Sequence, residues 1–192
     1  MDFLDRLNAH VRLAILLALV EPPRIERLRH ALLHMLWRVP GRSATASFLE
    51  ESLADYGILA TRDEVVAELA WLARSRLVVP AETGPAGALV LDLGRDVARG
   101  KTAVPGVAPG PALDWLRDRL DAASLRLSDV ELLDHLGWLQ DRDLVAVDDL
   151  VLPTRLGCDV AQGRAHVEGV KPPSSTTIMR LASNAARDRL GG

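Results

Sequence analysis

His30 and His34 sit four residues apart on a stretch with helical periodicity, a spacing that puts two imidazoles on one face as a paired metal ligand. Only Ala31-Leu32-Leu33 separate them, so the glutamate that accompanies such a pair in metallopeptidases is missing and no third ligand stands out. The pair is therefore expected on a packed or exposed helix face, with no metal bound. Metal sensing through thiolates needs more sulfur than this chain has, because Cys158 is its one cysteine; that residue is expected to pack. Asp148-Asp149 offers two carboxylates, but between two short apolar runs it reads as a tight hairpin turn. No phosphate-cradling glycine loop and no nucleophile motif occurs. The expectation is no enzyme, no cofactor and no small-molecule substrate.

Cationic chemistry is better represented. Residues 22–42 hold Arg24, Arg27, Arg29, Arg38 and Arg42 against Glu26 alone. Residues 171–192 hold Lys171, Arg180, Arg187 and Arg189 against Asp188. Such clusters can neutralise phosphates in a contact that ignores base sequence and weakens steeply with salt. Arg62 and Arg74, on a stretch of balanced charge, join them as candidate contacts to duplex DNA. Residues 128–143 differ: Asp129, Glu131, Asp134, Asp141 and Asp143 face a single Arg142, which makes that stretch a poor reader of DNA.

The elements that must position these groups come from a chain of 192 residues with 48% hydrophobic and 26% charged residues and a net charge of −3, enough apolar matter for one domain or two small ones. One cysteine excludes a disulfide framework. The apolar run Val11–Val20 contains Arg12 and is too short to span a bilayer. Met1-Asp2-Phe3-Leu4-Asp5 lacks the basic region of a signal peptide, so a cytoplasmic protein without membrane partners is expected.

A repeat organises the rest. Residues 45–79 align without gaps on 112–146 at an offset of 67, placing Phe48 on Trp115, Leu69 on Leu136 and Trp71 on Trp138. Residues 93–109 (LGRDVARGKTAVPGVAP) align on 156–172 (LGCDVAQGRAHVEGVKP) at an offset of 63. Within a copy, apolar positions 48, 49, 53 and 56 predict a helix with Ser47 as a possible N-cap. Thr61 and Glu64 form a capping box for a helix burying Val65, Leu69 and Leu72. The β-branched run Leu77-Val78-Val79 and Ala88–Leu91 then predict a hairpin with a turn-rich connection over 80–87; in the second copy Leu144–Val147 and Leu150–Leu152 do the same. Two helices followed by a hairpin make a helix-turn-helix with a wing. The expected fold is mainly α with small β-hairpins, as two tandem winged helix-turn-helix domains. The first spans 1–100 with an extra helix at 24–38; 101–111 is a Pro/Gly linker; 112–173 is the second repeat; 174–192 is a tail whose helix, or one from another protomer, is expected to cover the face that the second copy, lacking a first helix, leaves open.

Arg12–Leu16, Leu69-Ala70-Trp71-Leu72, Leu77-Val78 and the arms Asp159–Arg164 and Val167–Pro173 resemble small winged-helix proteins of Mu-like phages and prophages, often labelled ArsR-like transcriptional regulators. The resemblance covers about 8–20, 45–109 and 150–173. It implies a phage or prophage origin, a bacterial host cytoplasm, and DNA binding in transcription regulation or packaging. The alternative is a tandem winged-helix module that binds proteins, similar to chromosome-condensation accessory proteins; the acidic second copy favours it, and self-association as a dimer goes with it.

Overall fold

Asp2 opens the first helix, α1 (Phe3–Val20), in a capping box with Asp5, each side chain meeting the other's backbone amide. Pro22-Pro23 stops it, since proline carries no amide to continue the ladder. A second helix, α2 (Arg24–Arg38), follows at once. The computed structural model describes the chain except Met1, 82–86, Asp149 and 191–192, and except the side chains of 184–190. Its described residues are mainly helical, with two small antiparallel sheets. They divide into two compact units: Arg24–Gly110, and Met1–Pro23 together with Pro111–Gly192.

In the unit 24–110, α2 is buried along most of its middle, from Leu28 through Leu36. The chain then runs through β1 (Ser43–Thr45), α3 (Ala46–Leu53), α4 (Arg62–Arg74), β2 (Val78–Pro80), β3 (Gly87–Val90) and α5 (Asp92–Ala98). The sheet order is β1-β3-β2, antiparallel throughout, with Ala44 opposite Ala88 and Val79 opposite Leu89. Thr45, not Ser47, caps α3 through its hydroxyl, and the Thr61–Glu64 capping box starts α4 as its spacing predicts. Val65, Leu69 and Leu72 enter one core with Leu32, Leu36, Leu49, Leu53, Leu77 and Val97. Residues 101–110 do not act as a linker. Val107 and Ala108 are buried, and the Ala108 amide donates to the Glu26 carbonyl at 3.1 Å, so this segment is an arm strapped across α2.

The other unit contains α1, α6 (Leu113–Ala122), α7 (Asp129–Gln140), β4 (Val145–Val147), β5 (Val151–Pro153), α8 (Arg155–Ala161) and α9 (Ser175–Leu190). Its core joins Ile15, Leu16 and Leu19 of α1 to Leu116, Leu120, Leu132, Leu136, Leu139 and Cys158. The first helix of the chain thus completes the second repeat, and the helix 24–38 is no extra element but the first helix of the first repeat. That replaces the expected boundary at residue 100. The physical reason is an equivalence between the helices at an offset of 17, Val11–Leu19 on Leu28–Leu36, which gives either one the same apolar face. It also reassigns the tail: α1 takes the open face, while α9 contributes Leu181 at the edge of that core.

Matching contacts recur at equivalent positions of the two units. Gly94 and Gly157 occur where a helix meets the strand-leading residue so closely that a Cβ would lie 2.1 Å from the Leu77 carbonyl oxygen and 2.0 Å from that of Leu144. The arm is strapped in both units, the Lys171 amide donating to the Ala9 carbonyl at 3.0 Å. One difference follows from proline. Pro111, at the position of Ala44, has no amide to donate, so among the described residues one bond, from the Val151 amide to the Pro111 carbonyl, stands where β1 pairs with β3. The turn at Asp148-Asp149 lies partly outside the described residues, as does the connection over 82–86.

Candidate nucleic-acid interface

Arg29 projects from α2 onto the face of Trp71, its guanidinium carbon 3.7 Å from the ring centroid, and donates to the Gly106 carbonyl at 2.8 Å. Gly106 adopts a left-handed φ of +83, as its counterpart Gly169 does at +87; a Cβ at Gly106 would touch the Trp71 ring and the guanidinium. In the other unit Arg12 lies 3.6 Å over Trp138 and donates to the Gly169 carbonyl at 3.1 Å. The two tryptophans therefore share one role. Each is a platform that joins the first helix, the capped helix and the arm. Arg29 is further engaged with Glu68 at 2.6 Å, both side chains mostly buried at 14% and 13% exposure. At the position of Glu68 the second repeat has His135, and Arg12, partly desolvated and near Arg142, is held below the usual arginine range.

These contacts sort the predicted arginines. Arg24 is engaged within its own unit: its guanidinium meets the Glu64 carboxylate at 3.1 Å and also bonds the Leu59 carbonyl, tying α2 to the start of α4. Arg29 acts as a structural staple, its mostly buried guanidinium held by a carboxylate, an indole and a carbonyl of the arm. Arg27 is half-buried, and Arg38, Arg62 and Arg74 are exposed. Arg180 lies 3.8 Å from Glu21 on α1's C-terminal side; the side chains of Arg187 and Arg189 lie outside the described residues.

What the structure brings together is a cluster around Trp37 at the end of α2. Arg42, from the turn after α2, lies 4.6 Å from the ring centroid; Arg99 and Arg95, from the end of α5 and its body, lie at 5.7 and 5.9 Å. All three fall within cation–π range of one half-buried indole. Arg95 is also bound by Asp92 at 2.9 Å and Asp96 at 3.4 Å, which leaves Arg42 and Arg99 as the outward cations, with exposed Arg38 next to Trp37 in the chain. Sequence reasoning named Arg38 and Arg42 but missed Arg95 and Arg99, more than 50 residues further along the chain. The other repeat supplied the missing signal. Where this unit has Trp37, Arg38, Arg95 and Arg99, the second has Val20, Glu21, Cys158 and Gln162. The shared contacts are scaffold, and the cationic cluster belongs to one unit.

The histidine pair is part of the core. His30 and His34 are 3% and 4% exposed, their rings 6.3 Å apart, with Tyr56 edge-on to His34. Burial, then the neighbouring imidazole, push the His30 pKa down to about 4, against a backbone bond at Ala98 that favours the charged form. Among the described residues no group of three or more metal-ligating side chains occurs. Cys158 is buried in the second core, as expected for a packing residue. No helix among them is long and apolar enough to cross a membrane.

Over 63 residues the chain is 41% identical to an uncharacterized protein, gp26, of Escherichia phage Mu. The similarity links it to a phage protein. The matched stretch covers 30% of this chain and 66% of the phage protein, so the chain spans just under two thirds of that relative's length. No family model and no solved structure matches the chain.

Proposed function

We propose that this is a non-enzymatic, phage-type protein of two winged helix-turn-helix units, in which the unit 24–110 binds duplex DNA through the cluster around Trp37. The element order helix, strand, helix, helix, hairpin, with β1 beside β3, is the arrangement a winged helix requires. The similarity to a phage protein supports a phage setting; within it the role we assign is transcription regulation or DNA packaging. The observation that carries the reading is three guanidiniums from two separate chain segments converging on one indole. Convergent arginines suit phosphate oxygens, because the planar fork can bind them bidentately while its stem packs on the ring. The face of α4 has balanced charge, so this contact positions the protein on the backbone and carries no sequence code.

The test measures binding of a fluorescent 20–30-base-pair duplex across a salt series, for the native chain and for Arg38→Ala/Arg42→Ala/Arg99→Ala. Each phosphate contact contributes about 0.9 to the slope of log affinity against log salt, so the triple variant is expected to lose roughly 2–3 from that slope. An unchanged slope refutes the interface.

A further inference from the structure

Helix α7 has an outward face that its fold does not explain. Its core side is Leu132, Leu136 and Leu139. On the opposite side, within about 100° of arc at 100° per residue, lie Val130, Leu133, Asp134, Gly137 and Asp141. Val130 is 69% and Leu133 50% exposed. Gly137 occupies the middle of the helix, where glycine weakens it, and a Cβ there would meet nothing within 4 Å. Nothing in the chain's own packing asks for that glycine; a backbone arriving from outside would. An open groove of about 630 Å³ adjoins it, lined by Glu131, Leu133, Asp134, Trp138 and Asp141 among others, with Arg12 held on the Gly169 carbonyl and the Trp138 ring. In the first repeat the positions of Asp134, Gly137, Asp141 and Asp143 hold Ala67, Ala70, Arg74 and Arg76. The same surface has changed sign between the copies.

We propose that this face of α7 docks a basic amphipathic helix from a partner protein, its apolar residues on Val130 and Leu133, its backbone closest at Gly137, and its lysines or arginines on Asp134 and Asp141. Charge complementarity selects that occupant: duplex DNA is repelled by the same carboxylates, and an acidic segment equally so. The proposal is independent of DNA binding by the unit 24–110.

The experiment uses the full chain and two fluorescent 16-residue helical peptides with leucines at i, i+3/i+4 and i+7 spacing, one with lysines elsewhere and one with glutamates. The lysine peptide is expected to bind saturably and the glutamate peptide not. Leu133→Glu and Gly137→Met are each expected to weaken binding at least tenfold, and Asp134→Asn/Asp141→Asn to weaken it and flatten its salt dependence. All these sites are exposed, and circular dichroism melting checks that the fold is kept; Gly137→Met is expected to melt no lower than the native chain. Absence of saturable binding, or equal affinity in the variants, overturns the proposal. Sedimentation showing a concentration-dependent dimer abolished by Leu133→Glu overturns it in favour of a second copy, and competition by duplex DNA at this face overturns it in favour of nucleic acid.

Discussion

Lowering the pH should loosen the unit 24–110 by a calculable amount through His30. Its imidazole is buried against His34 on α2, with Tyr56 nearby, and its pKa falls to about 4. In the unfolded chain an ordinary histidine titrates near 6.5. The folded value is the lower one, so the unfolded state binds more protons between the two, and stability falls as the pH falls. The contribution is complete above pH 6.5, declines from there toward pH 4, and levels off below. Two and a half units at about 1.4 kcal/mol each give a limit of about 3.5 kcal/mol, of which about 2.5 is lost by pH 4.5. Carboxylates also titrate in this range, so the comparison needs a variant. The second repeat suggests it: Leu13 stands where this one has His30, and is buried in an apolar core. His30→Leu changes the absolute stability by losing the bond at Ala98, but that offset does not depend on pH. Urea denaturation of both proteins at pH 7.5, 6.0, 5.0 and 4.5, read by hydrogen exchange at amides of α2 and α4, isolates the histidine. The stability difference between native and variant should change by about 2–3 kcal/mol across the series. A difference that stays flat refutes the buried, neutral His30.

Other perturbations test the scaffold. Gly169→Ala should cost about 1–3 kcal/mol through left-handed backbone strain, and more than Gly106→Ala, since its Cβ would lie 2.6 Å from the Trp138 ring against 3.0 Å from Trp71; thermal melting orders them. Glu68→Gln leaves the Arg29 guanidinium mostly buried without its carboxylate and should cost about 3–5 kcal/mol in urea denaturation, while Arg24→Ala, at a half-exposed pair, should cost about 1 kcal/mol or less. Arg29→Ala should likewise destabilise the unit and leave the salt slope of DNA binding unchanged, which separates the staple from the proposed interface.

The nesting of the units bears on how such a chain arose. A simple tandem copy would run first helix and remainder, then first helix and remainder. Here the complete unit 24–110 stands between α1 and the rest of its own unit. Because α1 and α2 offer the same arginine and the same leucine face to the same tryptophan and arm, either could serve either core as far as these contacts go. What differs is chemistry at the edges: His30 and His34 on α2 are Leu13 and Leu17 on α1.

Much of this was legible in the residues alone. The repeat, the capped helix at Thr61, the apolar triads of α4 and α7 and both hairpins follow from local spacing, because capping and amphipathic periodicity act within a few residues. The equivalence of Trp71 and Trp138 follows from the repeat, whereas the burial of Cys158 does not, because its counterpart Arg95 is part-exposed and ion-paired. Tertiary packing decided the rest: which core α1 enters, that 101–110 is a strap, that Arg24 and Arg29 are engaged by Glu64 and Glu68, and that Arg95 and Arg99 join Arg42 at Trp37. Those choices depend on partners 40 to 160 residues away. Periodicity shows that a helix has an apolar face and a guanidinium has a charge, but only the closing of the chain selects the surface or the counterion that each one meets.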